Sequence, residues 1–299
     1  MTHTHSNKIR QSSAADRVYM GITEAILWFM LIIILIPLIY VVSSSFSSPE
    51  AVGNGKVFLW PVDPSLKGYE AVFTTPKVWV GFRNSVFYTV VGTVINIIVT
   101  MLAAYPLSRR DLKGRGFVMA MFTFTMLFGG GMIPTYLLVR DLGMINTVWA
   151  MLLPGAMSVY NSIICRTAIE AVPDSLQESA YIDGANDLVI VFRIILPLIM
   201  PTIAVLLLYY GVGHWNAWFN ASIYLQDNEK LPIQNVLRAV LIANSNLLNA
   251  AAAENDQVNE FAESIKYAAI VLTTVPVLCV YPFLQKYFVK GVMIGAVKG

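Results

Sequence analysis

Six stretches of at least 19 residues contain no Asp, Glu, Lys or Arg, and they limit the fold more than any other feature of this sequence. A helix that crosses a bilayer needs about 20 largely apolar residues. Only 13% of the 299 residues are charged, whereas a soluble domain carries about 25%. We therefore predict an all-α integral membrane protein with six transmembrane helices. The stretches are residues 25–49, 84–108, 116–139, 142–165, 194–226 and 267–285.

The first stretch is preceded by basic residues and followed by serines, as in a secretory signal. Signal cores are shorter, about 7 to 15 residues, so we interpret this stretch as a retained spanning helix. The predicted domains are a cytoplasmic N-terminal segment, 1–24, and a transmembrane domain, 25–299. A further uncharged stretch, Ala239 to Ala253, is short and rich in amides, which indicates an exposed amphipathic helix.

Orientation follows from the distribution of Lys and Arg, which favours the cytoplasmic side. With the N-terminus inside, the cytoplasmic segments hold twelve of these residues and the outer segments hold eight. One short loop carries the basic cluster from Arg109 to Arg115, whereas the next short loop carries only one basic residue, Arg140. Both termini are therefore predicted to be cytoplasmic, with two long outer segments at 43–83 and 223–266.

Charge and chemistry exclude several classes of protein. The net charge of +2 is small and scattered, so no nucleic-acid partner is expected. Cys165 and Cys279 lie inside apolar runs without metal-ligand spacing, so we predict neither a disulfide nor a metal site. The three histidines form no catalytic constellation with other groups. We therefore expect a protein that is not an enzyme.

The loop between the fourth and fifth stretches, here called the acidic loop (residues 170–197), is unusually rich in carboxylates. Its five acids are Glu170, Asp174, Glu178, Asp183 and Asp187. Ser175 and Glu178 have the spacing of a capping box, and Gly184 suits the left-handed position that ends a helix. Asp187 can cap a second helix, and Pro197 removes a backbone donor where that helix meets the fifth stretch. We predict a helix, a glycine turn and a second helix.

The acidic loop resembles the signature of permease subunits of bacterial ABC importers, E-A-A-x3-G-x9-I-x-L-P. Six of seven positions are identical, and a serine replaces the first alanine. The matching residues are Glu178, Ser179, Ala180, Gly184, Ile194, Leu196 and Pro197. The segments FGGGMIPTYLLVRDLGMINT, HWNAWFN and FLQKYFVKGVMIGAVKG are similar to the carbohydrate-uptake branch, specifically the maltose-type second permease. Within it, the chain most resembles members that import polysaccharide-derived oligosaccharides.

This resemblance implies the type I ABC importer permease fold in the bacterial cytoplasmic (inner) membrane. The acidic loop would dock as a coupling helix on a cytoplasmic ATPase, with Ser179 and Ala180 allowing close approach. Glu178 would pair with a basic group of that ATPase or cap its own helix, and the two roles are compatible. The chain would have no cofactor, because ATP and Mg²⁺ are bound by the ATPase. In this chain, Gly53-Asn54-Gly55-Lys56 lacks the other residues of a phosphate loop.

The implied partners are a homologous second permease, with which the chain forms a heterodimer, two ABC ATPase subunits and an extracytoplasmic solute-binding protein. The substrate is an oligosaccharide, and the surrounding solvent is the lipid bilayer. The outer segment 223–266 corresponds to the part of maltose-type permeases that probes the binding protein. Its acids alternatively face water.

Several uncharged polar and aromatic residues are candidates for the substrate path. The side chains of Asn96, Asn161 and Tyr160 would either bind sugar hydroxyls or form hydrogen bonds that hold helices together. The aromatic cluster after His214 stacks on a sugar ring or forms an interfacial belt. The candidates are Asn96, Tyr160, Asn161, Trp215, Asn216 and Trp218.

The third stretch contains Gly129, Gly130, Gly131 and Pro134, which weaken a helix. This pattern indicates a place where the helix bends or unwinds as a pathway opens. Close helix packing or an early helix end would produce the same pattern.

We predict that the chain is the permease subunit of an ATP-driven importer and that it forms half of the translocation path by alternating access. An ion-coupled secondary sugar transporter is the alternative. Such a carrier commonly places ionisable residues within its spans, and the six stretches contain no Asp, Glu, Lys or Arg.

Overall fold

The computed structural model describes residues 14–239, 242, 265–283 and 285, and the regular structure within these ranges is helical. This confirms the all-helical prediction for the described residues. The predicted amphipathic helix Ala239 to Ala253 lies outside them apart from two residues, as do the extreme N-terminal segment, the later acids of segment 223–266 and the lysines of the tail. In chain order the helices are α1 (Ala14–Ser45), α2 (Pro49–Gly53), α3 (Lys67–Phe73), α4 (Pro76–Ser108), α5 (Arg115–Leu127), α6 (Met132–Asp141), α7 (Trp149–Leu152), α8 (Val159–Glu170), α9 (Asp174–Ile182), α10 (Asp187–Leu198), α11 (Met200–Trp215), α12 (Trp218–Tyr224), α13 (residues 233–239) and α14 (Ile265–Phe283).

Within the described ranges, three helices are long and apolar enough to cross a membrane: Asp16–Ser45 of α1, α4 and α14. The number rises to five if each of two bent pairs, α5 with α6 and α10 with α11, counts as one crossing. The fourth uncharged stretch, 142–165, does not form one long helix. It contains α7 and the first part of α8, separated around Pro154 and Gly155.

The described residues form two compact units. Residues 14–70 and 265–271 make up the first unit, in which α1 begins at Ala14, well before the predicted start at residue 25. The apolar side chains of α1 are exposed along its length, as expected of a surface that faces lipid or another chain.

A buried run of serines closes α1 onto the segment that follows it. Ser43 Oγ donates to the Leu59 carbonyl over 2.7 Å, and Ser47 Oγ accepts from the Val62 N–H over 3.1 Å. The hydroxyl of Tyr69 donates to Ser45 Oγ over 2.9 Å. Burial raises the pKa of Tyr69. The serines thus organise a folded segment after the first span.

The second unit, residues 71–239, 242, 272–283 and 285, is built around α4, which packs against α8 and α11. Its core includes Met101 and Ala104 on α4, Cys165 on α8 and Leu206 on α11, all fully buried. At Gly92 the absence of a side chain lets the His214 ring approach the backbone of α4. This close approach holds α4 and α11 together.

The break between α7 and α8 exposes backbone groups that a continuous helix would pair. Asn96 Nδ2 donates to the Gly155 carbonyl over 2.7 Å, and Asn96 Oδ1 accepts from His214 Nε2 over 2.6 Å. The Tyr210 hydroxyl accepts from the Ser158 N–H over 3.1 Å. Irregular backbone at membrane depth is tolerated where protein groups satisfy it, so these side chains make the break possible.

In the third stretch, α5 ends at Leu127 and α6 begins at Met132, with an angle of 112° between them. Gly131 has a φ of +86°, a conformation that favours glycine, and Pro134 is the third residue of α6, where its missing N–H costs little. No described atom lies within 4 Å of a β-carbon built on Gly129, Gly130 or Gly131. The described residues therefore do not support close packing as the reason for these glycines, and the helix does end early.

The fifth stretch is also bent. A π-helical segment, Ile190–Ile195, leads into residues Leu196–Leu198, and an angle of 91° separates α10 from α11. The bend lies at Ile199, and Pro201 is in the first turn of α11. Because proline has no N–H and a fixed φ, it fits the start of the new helix.

We predict that Gly92→Ala destabilises the second unit. A β-carbon at position 92 would stand 2.5 Å from Cε1 and Nε2 of His214, so the ring must move, which disturbs its hydrogen bond to Asn96. The expected cost is about 1–3 kcal/mol. Thermal unfolding in detergent should show a lower midpoint.

Gly213→Ala is the matched control, since this α11 glycine has no described atom within 4 Å of a built β-carbon. Its unfolding midpoint should equal or exceed that of the unmodified protein. Equal midpoints for the two variants would contradict the account of the α4–α11 contact.

Candidate functional site

The first helix of the acidic loop begins two residues earlier than the predicted capping box requires. Pro173 occupies the N-cap position of α9 and offers no side-chain acceptor, so Ser175 lies inside the first turn. Ser179 Oγ donates back to the Ser175 carbonyl over 2.9 Å. The predicted capping box is therefore not formed, and capping does not explain the presence of Glu178.

Gly184 has the predicted left-handed conformation, with a φ of +81°. The Gly184 N–H donates to the Tyr181 carbonyl over 3.0 Å, and the Ala185 N–H donates to the Ala180 carbonyl over 2.9 Å. This confirms the glycine turn that ends α9.

The second helix is capped by Asn186, and the prediction that Asp187 caps it is wrong. Asn186 Oδ1 accepts from the Val189 N–H over 2.9 Å. Asp187 becomes the first residue of α10, and its carboxylate bonds to tyrosines instead. The side chain of Asp187 is thus available to join other helices.

The signature residues divide between an inner and an outer face. Ala180 is only 6% exposed, and Ile194 and Leu196 pack against the same core. Ala180 therefore contacts its own chain and does not form an outward small-residue face. Glu178, Ser179 and Pro197 are exposed.

An exposed apolar residue on α9 was missed by the sequence analysis. Ile182 is 87% exposed and shares a helical face with Ser175, Glu178 and Ser179. The i, i+3, i+4, i+7 spacing of these four residues could have revealed this outward face.

A cluster of polar side chains, here called the tyrosine interlock, ties the acidic loop to the end of α4. Its members are Tyr105, Arg109, Gln177, Tyr181 and Asp187. The Tyr105 hydroxyl donates to Asp187 Oδ1 over 3.1 Å, and the Tyr181 hydroxyl also donates to that oxygen. Arg109 Nη1 donates to Gln177 Oε1 over 3.2 Å and to the Tyr181 hydroxyl over 3.0 Å. Five side chains thus fix α9 and α10 to α4.

Arg109 is itself oriented by a carboxylate. Its Nε donates to Asp111 Oδ1 over 3.1 Å, and this bond holds the pKa of Asp111 below its usual value. Because Asp111 stays ionised at neutral pH, the guanidinium of Arg109 keeps a fixed partner while its other edge contacts Tyr181.

A second set of ionic contacts joins α4, α5 and α8 beside the interlock. Arg166 Nε donates to the Leu107 carbonyl over 2.9 Å, and its Nη2 donates to Glu170 over 2.7 Å. Glu170 also pairs with Arg115. Next to these contacts lies a cavity of about 200 Å³, whose lining includes Glu170 and Glu178. These contacts hold the start of the acidic loop, at Glu170, beside the ends of α4 and α5.

The structure separates the six candidates for the substrate path. Asn96 is fully buried, and both ends of its amide bind groups of this chain. Trp215 is 5% exposed and donates to the Thr273 carbonyl over 3.0 Å, while Asn161 is 5% exposed. Tyr160, Asn216 and Trp218 are exposed, so these three side chains are accessible to a ligand.

Trp218 has a neighbour that the sequence analysis did not find. The guanidinium carbon of Arg238 lies 4.1 Å from the centre of a Trp218 ring. Asn235 Nδ2 donates to the Trp218 carbonyl over 3.0 Å and to Ser222 Oγ over 2.8 Å. Twenty residues of sequence separate the tryptophan from the arginine, and no local pattern predicts their contact.

The helical architecture and the acidic loop define a membrane permease. Residues 96–294 match the family described as binding-protein-dependent transport system inner membrane component, and the chain belongs to this family. The prediction of an ABC-importer permease is confirmed, and the protein is a transport subunit and not an enzyme.

Individual relatives match over most of their length. The chain is 44% identical over 274 residues to the polygalacturonan/rhamnogalacturonan transport system permease protein YtcP of Bacillus subtilis (strain 168), covering 92% of this chain and 96% of that protein. It is 35% identical, with a TM-score of 0.83, to a chain in the crystal structure of a bacterial ABC transporter involved in the import of the acidic polysaccharide alginate. That similarity covers 92% of this chain and 98% of the other.

A second solved structure shares the fold at low sequence identity. It contains a bacterial alginate ABC transporter in complex with an alginate pentasaccharide-bound periplasmic protein. The matched chain is 17% identical, with a TM-score of 0.55, over 89% of this chain and 92% of the other.

We predict that Tyr181→Phe loosens the acidic loop, because the tyrosine interlock loses its central hydroxyl. Loss of its hydrogen bonds should cost about 1–2 kcal/mol, so amide hydrogen exchange across α9 should accelerate about 5- to 30-fold. Mass spectrometry of residues 174–182 measures this rate.

Tyr160→Phe serves as the control, since Tyr160 is 55% exposed and lies outside the interlock. Its α9 exchange rate should match that of the unmodified protein. Unchanged exchange in Tyr181→Phe would show that the interlock does not hold the acidic loop.

Proposed function

We propose that this chain is one permease subunit of an ATP-driven importer for oligosaccharides derived from polysaccharides. The observation that supports this most directly is the acidic loop, where the signature residues form a helix, a left-handed glycine turn and a second helix leading into α11. The names of the relatives, which refer to polygalacturonan, rhamnogalacturonan and alginate, support the substrate class.

The outward face of α9 is the proposed contact with a cytoplasmic ATPase. Glu178 is exposed and has no capping role, so its carboxylate is available to a basic group of the partner. Ile182 offers an exposed apolar side chain that burial in a groove would stabilise. Ser179 lies between them, and its small side chain allows close approach.

Movement of the acidic loop would reach the membrane by two routes. The first is the continuous backbone through α10 and the 91° bend into α11. The second is the tyrosine interlock, which connects α9 and α10 to α4. Since α4 and α11 pack against each other, both routes act on the same helix pair, which would tilt as one body between outward and inward openings.

The topology that fits this function has six crossings and two cytoplasmic termini, with 1–24 as a cytoplasmic segment and 25–299 as the transmembrane domain. The bent pair α5–α6 provides one crossing, and α7 together with α8 provides another. The break at Gly129, Gly130 and Gly131 is a hinge at which this part of the pathway opens, with Pro134 in the first turn of the helix beyond it.

The complete importer would comprise this permease, a homologous second permease, two ABC ATPase subunits and an extracytoplasmic solute-binding protein in the bacterial inner membrane. ATP and Mg²⁺ would be bound by the ATPases.

Tyr160, Asn216 and Trp218 are the proposed substrate contacts of this chain. Asn96 and Trp215 bind groups within the chain, which favours structural roles for those two residues.

The test of this function is uptake by proteoliposomes that contain the assembled importer and its binding protein. We expect oligosaccharide uptake that requires ATP inside and persists without an ion gradient. Uptake driven by a proton or sodium gradient in the absence of ATP would contradict the proposal and support the secondary transporter.

The same assay tests the acidic loop. In Gly184→Ala the new side chain disfavours the φ of +81° by about 1 kcal/mol, so uptake per ATP hydrolysed should fall about fivefold or more. Gly143→Ala is the control, because Gly143 has a φ of +68° outside the acidic loop. Equal uptake per ATP in the two variants would contradict the coupling role.

A further inference from the structure

We propose that Trp218 and Arg238 form a subsite for a uronate residue, so that this permease recognises acidic oligosaccharides. The inference rests on the proposed function, since it names the class of sugar that the importer carries. The pair is here called the Trp–Arg shelf.

The shelf is held in place by neighbouring helices. Asn235, which is 8% exposed, fixes the start of α12 through its bonds to the Trp218 carbonyl and Ser222 Oγ. Asn235 belongs to α13, and this helix packs closely on Gly81 of α4, where a built β-carbon would lie 2.9 Å from Val236. The indole and the guanidinium are therefore carried by two helices that are fixed to each other and to α4.

The shelf lies towards the opposite end of α4 from the acidic loop. Gly81, beside α13, and Tyr105, in the interlock, are separated by 24 residues, or about 36 Å of helix. This distance exceeds the thickness of the bilayer's hydrocarbon core, about 30 Å. If the acidic loop meets the ATPase, the shelf faces the side from which the sugar enters.

The surface of the shelf is accessible and cationic. Trp218 is 38% exposed, and Arg238 is exposed. In the part of the chain that the structure describes, no carboxylate pairs with Arg238 within 4.0 Å. By contrast, Lys230 bonds to the Asn146 carbonyl over 2.9 Å and pairs with Asp227. Arg238 thus offers a positive charge that the described residues do not neutralise.

The chemistry of this pair suits a uronate. A guanidinium presents N–H donors in a planar fork that matches a carboxylate with two parallel hydrogen bonds. The contact with the indole restricts the arginine side chain without occupying it with an anion. The exposed indole supplies an apolar surface for a sugar ring. A neutral sugar would use the indole but would leave the guanidinium without its partner.

The experiment measures binding of labelled trigalacturonate and of its methyl ester to the purified complex of permeases and ATPases, without the binding protein. The ester, in which all three carboxylates are methylated, keeps the same sugar rings and carries no charge. We expect the unmodified complex to bind trigalacturonate about tenfold more tightly than the ester. Arg238→Gln should weaken trigalacturonate binding about tenfold and leave ester binding unchanged, and Arg238→Lys should have an intermediate effect.

Arg83→Gln is the matched control, because Arg83 is an exposed cation on α4 outside the shelf. It should leave both affinities unchanged. The unfolding midpoint of each variant confirms that the complex is intact.

Three results would overturn the inference: equal affinity of the unmodified complex for acid and ester, no binding of either ligand, or equal weakening of both ligands by Arg238→Gln. An equal effect of Arg83→Gln would also overturn it, since surface charge in general would then be responsible. Uptake that still requires ATP in any of these cases would leave the proposed function intact, whereas uptake independent of ATP would remove both.

Discussion

A backbone group inside the hydrocarbon of a bilayer has no water to bind, and this constraint governs the fold of the second unit. The chain leaves helical geometry between α7 and α8, and the carbonyl of Gly155 and the N–H of Ser158 would be unpaired there without side-chain partners. Asn96 and Tyr210 supply these partners, at 2.7 and 3.1 Å. Because Asn96 also binds His214, the repair of the break and the packing of α4 against α11 depend on the same side chain.

The acidic loop is built on this rigid pair of helices. Its inner face contributes Ala180 and Ile195 to the core that contains Met101 and Leu206. Its polar side chains bind the end of α4 through the tyrosine interlock. A loop fixed at both its core and its edge can transmit force, whereas a loop joined only by its backbone would bend. The outward face of α9 remains free for a partner.

The sequence predicted features that depend on single residues or on composition. The six uncharged stretches predicted a helical membrane protein, and Gly184 predicted the left-handed turn because few other residues tolerate a positive φ. Features that depend on competition between neighbours were predicted less well. Asn186 replaces Asp187 as the cap because Tyr105 and Tyr181 bind the aspartate. The spacing of Ser175 and Glu178 predicted a capping box that does not form, because α9 begins earlier, with Pro173 as its N-cap. Contacts between distant segments, such as Trp218 with Arg238, leave no local signal at all.

The central claim is that force from a nucleotide-hydrolysing partner enters through the outward face of α9. The most direct measurement attaches a photoreactive crosslinker at Ser179→Cys in the assembled importer. Exposed Cys279 is replaced by serine, and buried Cys165 is retained. The account predicts a covalent adduct between this chain and the ATPase after illumination. It would be contradicted if the crosslinker at position 179 formed no adduct and if, in a separate sample without crosslinker, the cysteine at position 179 reacted with a water-soluble maleimide as fast in the complete importer as in the permeases alone.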